Sequence, residues 1–185
     1  MNKIPFWGVA LCLLVSCKKE GVDLLPKATQ EGKNTAGFLA DGKAFTPNKG
    51  GGFVSGTNPV NGYREKTKIG TVLAVSFSDR RGQRQEGLGI RLLNVRQPGT
   101  YVLEEQQTII LANQSPGYLV YYSDLIDREA VFYSGPGDPA TVTITRLDTI
   151  NNIVSGTFEA VPRENGGSRT VQITKGRFDV KYDRK

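Results

Sequence analysis

Side chains able to do chemistry are sparse in this chain and fall into three groups. Asp124, Asp127 and Glu129 form the densest carboxylate cluster apart from Glu104-Glu105. Paired carboxylates can do acid–base work on a glycosidic bond, but this spacing lacks the alternate acidic positions and central glycine of a calcium loop. Lying just ahead of a strand, they read as turn and edge residues. Tyr118, Tyr121 and Tyr122, with Phe132 and Tyr133 on the next segment, are the richest aromatic group. In a strand Tyr118 and Tyr122 share one face and Tyr121 takes the other. One face is then core, and the other can stack on sugars or meet a partner protein. Arg80, Arg81 and Arg84 crowd an expected hairpin loop, where guanidinium forks can grip phosphate or carboxylate; a solvated loop is the simpler explanation. Gly50-Gly51-Gly52-Phe53 lacks the Lys-Ser/Thr of a phosphate-binding loop and reads as a plain loop.

Composition narrows the chemistry further. There is no histidine, and the two cysteines are Cys12 and Cys17. This removes Ser-His-Asp and Cys-His catalysis, the usual zinc ligands and the commonest general base near neutral pH. An enzyme would have to work with carboxylates, Lys, Tyr or Ser, and none is expected; no cofactor or metal site is assigned.

The N-terminus carries a processing signal. Met1–Lys3 is a brief basic region, residues 4–15 are apolar, and Leu14-Val15-Ser16 places a small residue directly before Cys17, as signal peptidase requires. The apolar stretch is too short to span a bilayer, which takes about twenty such residues. Leu14-Val15-Ser16-Cys17 resembles the lipobox of bacterial lipoproteins. The resemblance implies that Cys17 becomes the first residue, carrying a diacylglycerol on sulfur and a further acyl chain on its amine. At about 0.8 kcal/mol per buried methylene, two or three chains hold a protein stably on a membrane. The domains are then residues 1–16 as signal peptide, 17–35 as lipidated cysteine and flexible tether, and 36–185 as a single domain. The tether would hold that domain on the order of 23 Å from the acyl chains as coil, and about 60 Å if extended. Lys18-Lys19-Glu20 lacks the Asp after cysteine that resembles an inner-membrane retention signal, so an outer-membrane location is expected. Whether the domain faces the periplasm or the cell surface stays open.

After loss of residues 1–16 and with them only Lys3, 23 Lys plus Arg face 18 Asp plus Glu, a formal +5. The charge is spread along the chain and reads as a solvated, mildly basic surface, with no nucleic-acid partner. From Ala36 onward the chain reads as strand after strand. Ile69, Thr71, Leu73, Val75 and Phe77 alternate with Gly70, Val72, Ala74, Ser76 and Ser78, and Leu88, Ile90 and Leu92 repeat the pattern after DRRGQRQEG. Further strands are expected over residues 100–104, 108–112, 118–123, 130–134, 141–147, 153–160 and 170–182. Turns at Asp41-Gly42, Pro98-Gly99 and Asn151-Asn152 suit hairpins and antiparallel pairing. The fold class is all-β, an antiparallel β-sandwich, with a flattened up-and-down β-barrel as the alternative. In the last strand Val171 and Ile173 share a parity that Phe178, Val180 and Tyr182 reverse, which predicts a bulge near Gly176.

Residues 25–47, LPKATQEGKNTAGFLADGKAFTP, are similar to the opening of a large group of Bacteroidota lipoproteins, in which LPPATQ, then G, NT, G and a strand ending in NGK or DGK follow the lipidated cysteine. Ser155-Gly156-Thr157-Phe158 and ITKGRFDV over residues 173–180 resemble that group's closing SGTF and ITxGRFD elements. Ala36 and Phe38 stand where the group often has Phe then Cys, and Lys175 replaces a frequent acidic residue. The group has no assigned activity, so the resemblance implies location and an all-β fold and supplies no catalytic residue. The expectation is a cell-envelope lipoprotein acting as a binding or structural module, with a glycan or envelope protein as partner. A carboxylate-dependent glycan-active enzyme and a small-lipid-binding barrel are the alternatives.

Overall fold

A computed structural model describes residues 21–48, 58–79, 85–105, 116–124, 126 and 130–185. Its thirteen strands are β1 (Thr35–Ala40), β2 (Lys43–Phe45), β3 (Val60–Thr67), β4 (Gly70–Asp79), β5 (Glu86–Leu93), β6 (Gly99–Leu103), β7 (Tyr118–Ser123), β8 (Val131–Tyr133), β9 (Ala140–Asp148), β10 (Ile153–Ala160), β11 (Arg163–Glu164), β12 (Ile173–Lys181) and β13 (Asp183–Arg184). They form two sheets, ordered β2-β1-β12-β10-β9-β6 and β11-β8-β7-β5-β4-β3-β13. Neither closes on itself, so the architecture is the sandwich and the barrel alternative falls. Every strand pair is antiparallel except β13, which crosses from β12 and runs parallel to β3 at Asp183↔Tyr63. Among the described residues no helix is long and apolar enough to cross a membrane.

Period-two alternation decides which side chains enter the core. Leu73, Val75 and Phe77 of β4 and Leu88, Ile90 and Leu92 of β5 point inward and are buried, as do Val154 and Phe158 of β10. Aromatic rings fill the space between the sheets. Phe38 stacks on Phe45 at 4.6 Å, meets Tyr121 edge-on at 5.9 Å, and Phe77 bridges the sheets to Phe158 at 6.0 Å. Ala36 and Phe38 lie together on the inward face. Asp41-Gly42 and Asn151-Asn152 lie in the hairpin turns β1–β2 and β9–β10, as expected. Pro98-Gly99 does not; it carries the chain across from β5 in one sheet to β6 in the other.

The bulge is present, and its extra residue is Lys175. Phe158 pairs with Gly176 and Ala160 with Ile173, so two residues of β12 oppose one of β10. Lys175 takes φ 54°, and the inward set changes from Val171 and Ile173 to Phe178, Val180 and Tyr182. Gly176 serves a different need. It lies opposite Phe158, and a Cβ there would meet the Phe158 ring at 2.6 Å; Gly156 lies opposite Phe178, where a Cβ would meet that ring at 2.8 Å. Each glycine leaves room for the aromatic ring across the strand pair.

The flexible tether expected through residue 35 is corrected over residues 21–34, which are laid along the outer face of the β1-side sheet. The cause is Asp179. It points outward from β12, yet is only 1% exposed. Its carboxylate accepts hydrogen bonds from the Thr29 hydroxyl (2.6 Å), the amides of Glu31 (3.0 Å), Gly32 (2.7 Å) and Lys33 (3.2 Å), and the Ser155 hydroxyl (2.8 Å). Arg177 donates to the Pro26 carbonyl, Arg146 to the Gln30 carbonyl, and the Lys181 amide to Asn34 Oδ1. Leu25 is buried at the start of this strap.

Burial alone would raise the Asp179 pKa, but the hydroxyl and amide donors outweigh it and hold the value at about 2, against 3.8 for the free side chain. Because the folded value is the lower one, the carboxylate's contribution is present above about pH 4 and is lost as pH falls toward 2. At about 1.4 kcal/mol per unit the contribution is about 2 kcal/mol. Asp179→Asn, which turns an amide NH₂ toward the strap's donors, is expected to destabilise the domain by on the order of 3 kcal/mol in urea. It is also expected to flatten the acid limb of the stability profile. Gly176→Ala should cost about 2 kcal/mol by overpacking against Phe158, measured in the same denaturant series.

Candidate functional site

The same alternation that builds the core runs past its end. Two residues beyond Phe77 stands Asp79, and two before Leu88 stands Glu86, so both carboxylates follow the inward parity. They face each other across β4–β5. Ser123, at the end of β7, pairs with Glu86. On the opposite sheet, bulk disappears at the same level. Phe38 gives way to Ala40, and Phe158 to Ala160. The sheets therefore part into a cleft of 530 Å³, walled by Ala40, Ala44 and Val171 on one side and by Asp79, Glu86, Tyr121 and Ser123 on the other, with Asp41 and Lys43 at the hairpin turn and Ile126 beside them. This volume falls within the roughly 300–1,000 Å³ of small-molecule sites.

Inside the cleft, the Tyr121 hydroxyl donates to Glu86 Oε1 at 2.6 Å. Burial first, and then this bond to a carboxylate, push the phenol pKa well up, so Tyr121 remains a neutral donor at any physiological pH. The Asp41 carboxylate accepts from the Gln172 amide (2.9 Å), which fixes the hairpin turn against the chain entering β12. Asp124 Oδ2 accepts from the Gln85 amide at 3.0 Å and the Asp124 amide donates to Gln85 O at 2.9 Å, closing the β5–β7 pair at the cleft's edge. The arrangement offers acidic acceptors, one ammonium and the hydroxyls of Tyr121 and Ser123 beside the apolar Ala40, Ala44 and Val171. Such a set suits hydrogen bonding to hydroxyl-rich ligands. No group of three or more Asp, Glu, Cys or His among the described residues is placed to hold a metal ion.

The aromatic group anticipated from sequence is divided between two surfaces. Tyr121 is core and reaches the cleft from within. Tyr118 and Tyr122 lie on the outer face of the sheet, half-buried, with Tyr118 edge-on to Tyr133 at 6.2 Å and Tyr122 lying over Gly87. Asp124 is the edge residue expected of it. Arg80, Arg81 and Arg84, Asp127 and Glu129, Leu14, Val15, Ser16 and Cys17, and the strand expected over residues 108–112 lie outside the described residues. Asp79 and Glu86 went unnoticed in the sequence because they sit inside the turn-rich DRRGQRQEG. Carrying the period of two past Phe77 and back from Leu88 is the signal that finds them.

One titration tests the cleft. In wild-type protein Tyr121 should ionise well above the exposed tyrosines in ultraviolet difference spectra, with Tyr133 also raised by burial. Glu86→Gln should bring the Tyr121 step down in pH, and Tyr121→Phe should delete it; an unchanged step in Glu86→Gln would remove the pairing from the account.

No protein-family model, curated protein or solved structure matches this chain.

Proposed function

We propose that this protein is a lipid-anchored lipoprotein of the outer membrane, held through Cys17, whose β-sandwich binds a glycan or another hydroxyl-rich envelope component in the cleft at its hairpin end. The observation that carries the reading is the cleft itself, where Asp41, Lys43, Asp79, Glu86, Tyr121 and Ser123 line a space of 530 Å³ beside an otherwise filled core. A filled sandwich favours an interaction module over a carrier of small lipids, which needs an apolar cavity inside a barrel. The segments that carry the Bacteroidota resemblance converge on Asp179. The ATQxGxNT opening and the SGTF and GRFD closing elements, distant in sequence, meet there through Thr29, Gly32, Ser155 and Asp179.

A carboxylate-dependent glycan-active enzyme is the second reading, favoured by one observation. Asp79 and Glu86 are directly opposed on one face of β4–β5, and a pair of carboxylates facing one cleft is what acid–base work on a glycosidic bond requires. Binding needs only acceptors at these positions, whereas catalysis needs one to attack.

The anchor is tested by fractionation: Cys17→Ser should move the protein from the membrane to the soluble fraction, and protease digestion of intact cells should report which side the domain faces. The ligand is tested by glycan arrays and calorimetry with envelope polysaccharide fragments. Asp79→Asn and Glu86→Gln should each weaken binding about tenfold, the loss of one charged hydrogen bond. Binding untouched by both would sink the cleft reading, and release of reducing ends by wild type but not Glu86→Gln would favour the enzyme.

A further inference from the structure

We infer that the end of the sandwich bearing the Asp41-Gly42 turn and the cleft rests against the leaflet that holds Cys17, an arrangement that rests on the anchoring proposed above. The argument is one of chain length. Only Lys18, Lys19 and Glu20 separate Cys17 from Gly21, because the strap consumes the remainder of what sequence alone assigns to a long tether. Whatever path those residues take, four residue steps span at most about 14 Å.

Where Gly21 sits therefore decides which part of the domain is near the lipid. A Cβ built on Gly21 would meet the Gly42 carbonyl at 3.0 Å and the Leu39 side chain at 3.2 Å, so the strap begins at the β1–β2 turn. It then runs past Arg177 at Pro26 and past Asp179 at residues 29–33. At the far end a Cβ on Gly32 would meet Ile153 at 3.0 Å, and Asn34 at φ 54° turns the chain back into β1. Its first ties are the buried Leu25 and the Arg177 bond to the Pro26 carbonyl, so it cannot lend length to the anchor without unseating Leu25 and breaking that bond.

The surface delivered to the membrane fits an interface. Leu24, 61% exposed, stands in the short 3-10 turn beside Gly21, and Ile126, 40% exposed, stands at the cleft. Lys43 is exposed at the turn beside the exposed Asp41, and Asp23 is exposed beside Leu24, so the charges at this end are mixed. Apolar side chains that enter the head-group boundary help to hold a surface on a bilayer beyond its acyl chains, and Leu24 and Ile126 are the residues that would do so here. The opposite end carries the β9–β10 turn at Ile150, about 30 Å away along strands of eight to ten residues.

Single cysteines at Lys43→Cys and Ile150→Cys, in separate chains, distinguish the two ends, since acylation leaves the mature chain no other thiol. Each lipidated protein is labelled with a small fluorophore and reconstituted into vesicles whose head groups carry nitroxide. The label at position 43 should lose most of its emission, and the label at 150 should keep it. Equal quenching at both positions, or stronger quenching at 150, with acyl chains on Cys17 confirmed by mass, would overturn the orientation and leave the anchor standing. An unmodified Cys17 would overturn both.

Discussion

One buried carboxylate organises the outer surface of this sandwich. Asp179 lies on β12, which is hydrogen-bonded between β1 and β10, so whatever covers it braces three strands. Taking a carboxylate out of water costs several kcal/mol unless its lone pairs are filled. Here they are filled by Thr29, three consecutive amides of the strap and Ser155 of the neighbouring strand. The charge thus converts a polar N-terminal segment, with little apolar surface of its own, into a fixed layer over the sheet.

Much of the fold was legible because its signals are local. Alternation marked β4 and β5, the bounds of β7 and β10 coincide with residues 118–123 and 153–160, and the parity reversal in β12 located the bulge within a residue of Lys175. The strands that escaped are those whose side chains carry no alternation. β3 reads VNGYREKT and is polar along most of its length, since beyond it lies only the two-residue β13, and β11 and β13 are two residues each. The strap escaped for another reason. Residues 21–34 have no period and several turn formers, which is the composition of a linker; what orders them is a carboxylate about 150 positions away. Long-range satisfaction of a buried charge leaves no mark in the segment that supplies the donors.

The cleft shows how a sandwich makes a site with no dedicated loop chemistry. Strand parity continues to direct side chains inward after the core has ended, so residues that would be solvent-facing on a turn become wall residues instead. Small residues on the opposing sheet, Ala40 and Ala44, line the space, while Phe38 and Phe158, one step back along their strands, belong to the filled core. The Tyr121–Glu86 bond marks the border. Below it the interior is dry and aromatic, and above it the polar atoms face outward.

The strap joins residue 29 to residue 179, a sequence separation of 150. Contacts of that separation form late, because the entropy of closing so large a loop must be offset by strands already in place. Until β12 is seated between its neighbours, the N-terminal segment has nothing to hold it and pays out as slack. Completion of the last hairpin then reels it in. With the anchor proposed at Cys17, maturation of the fold is mechanically coupled to height above the bilayer: an unfinished chain swings on a long leash, and a finished one is drawn down to the surface.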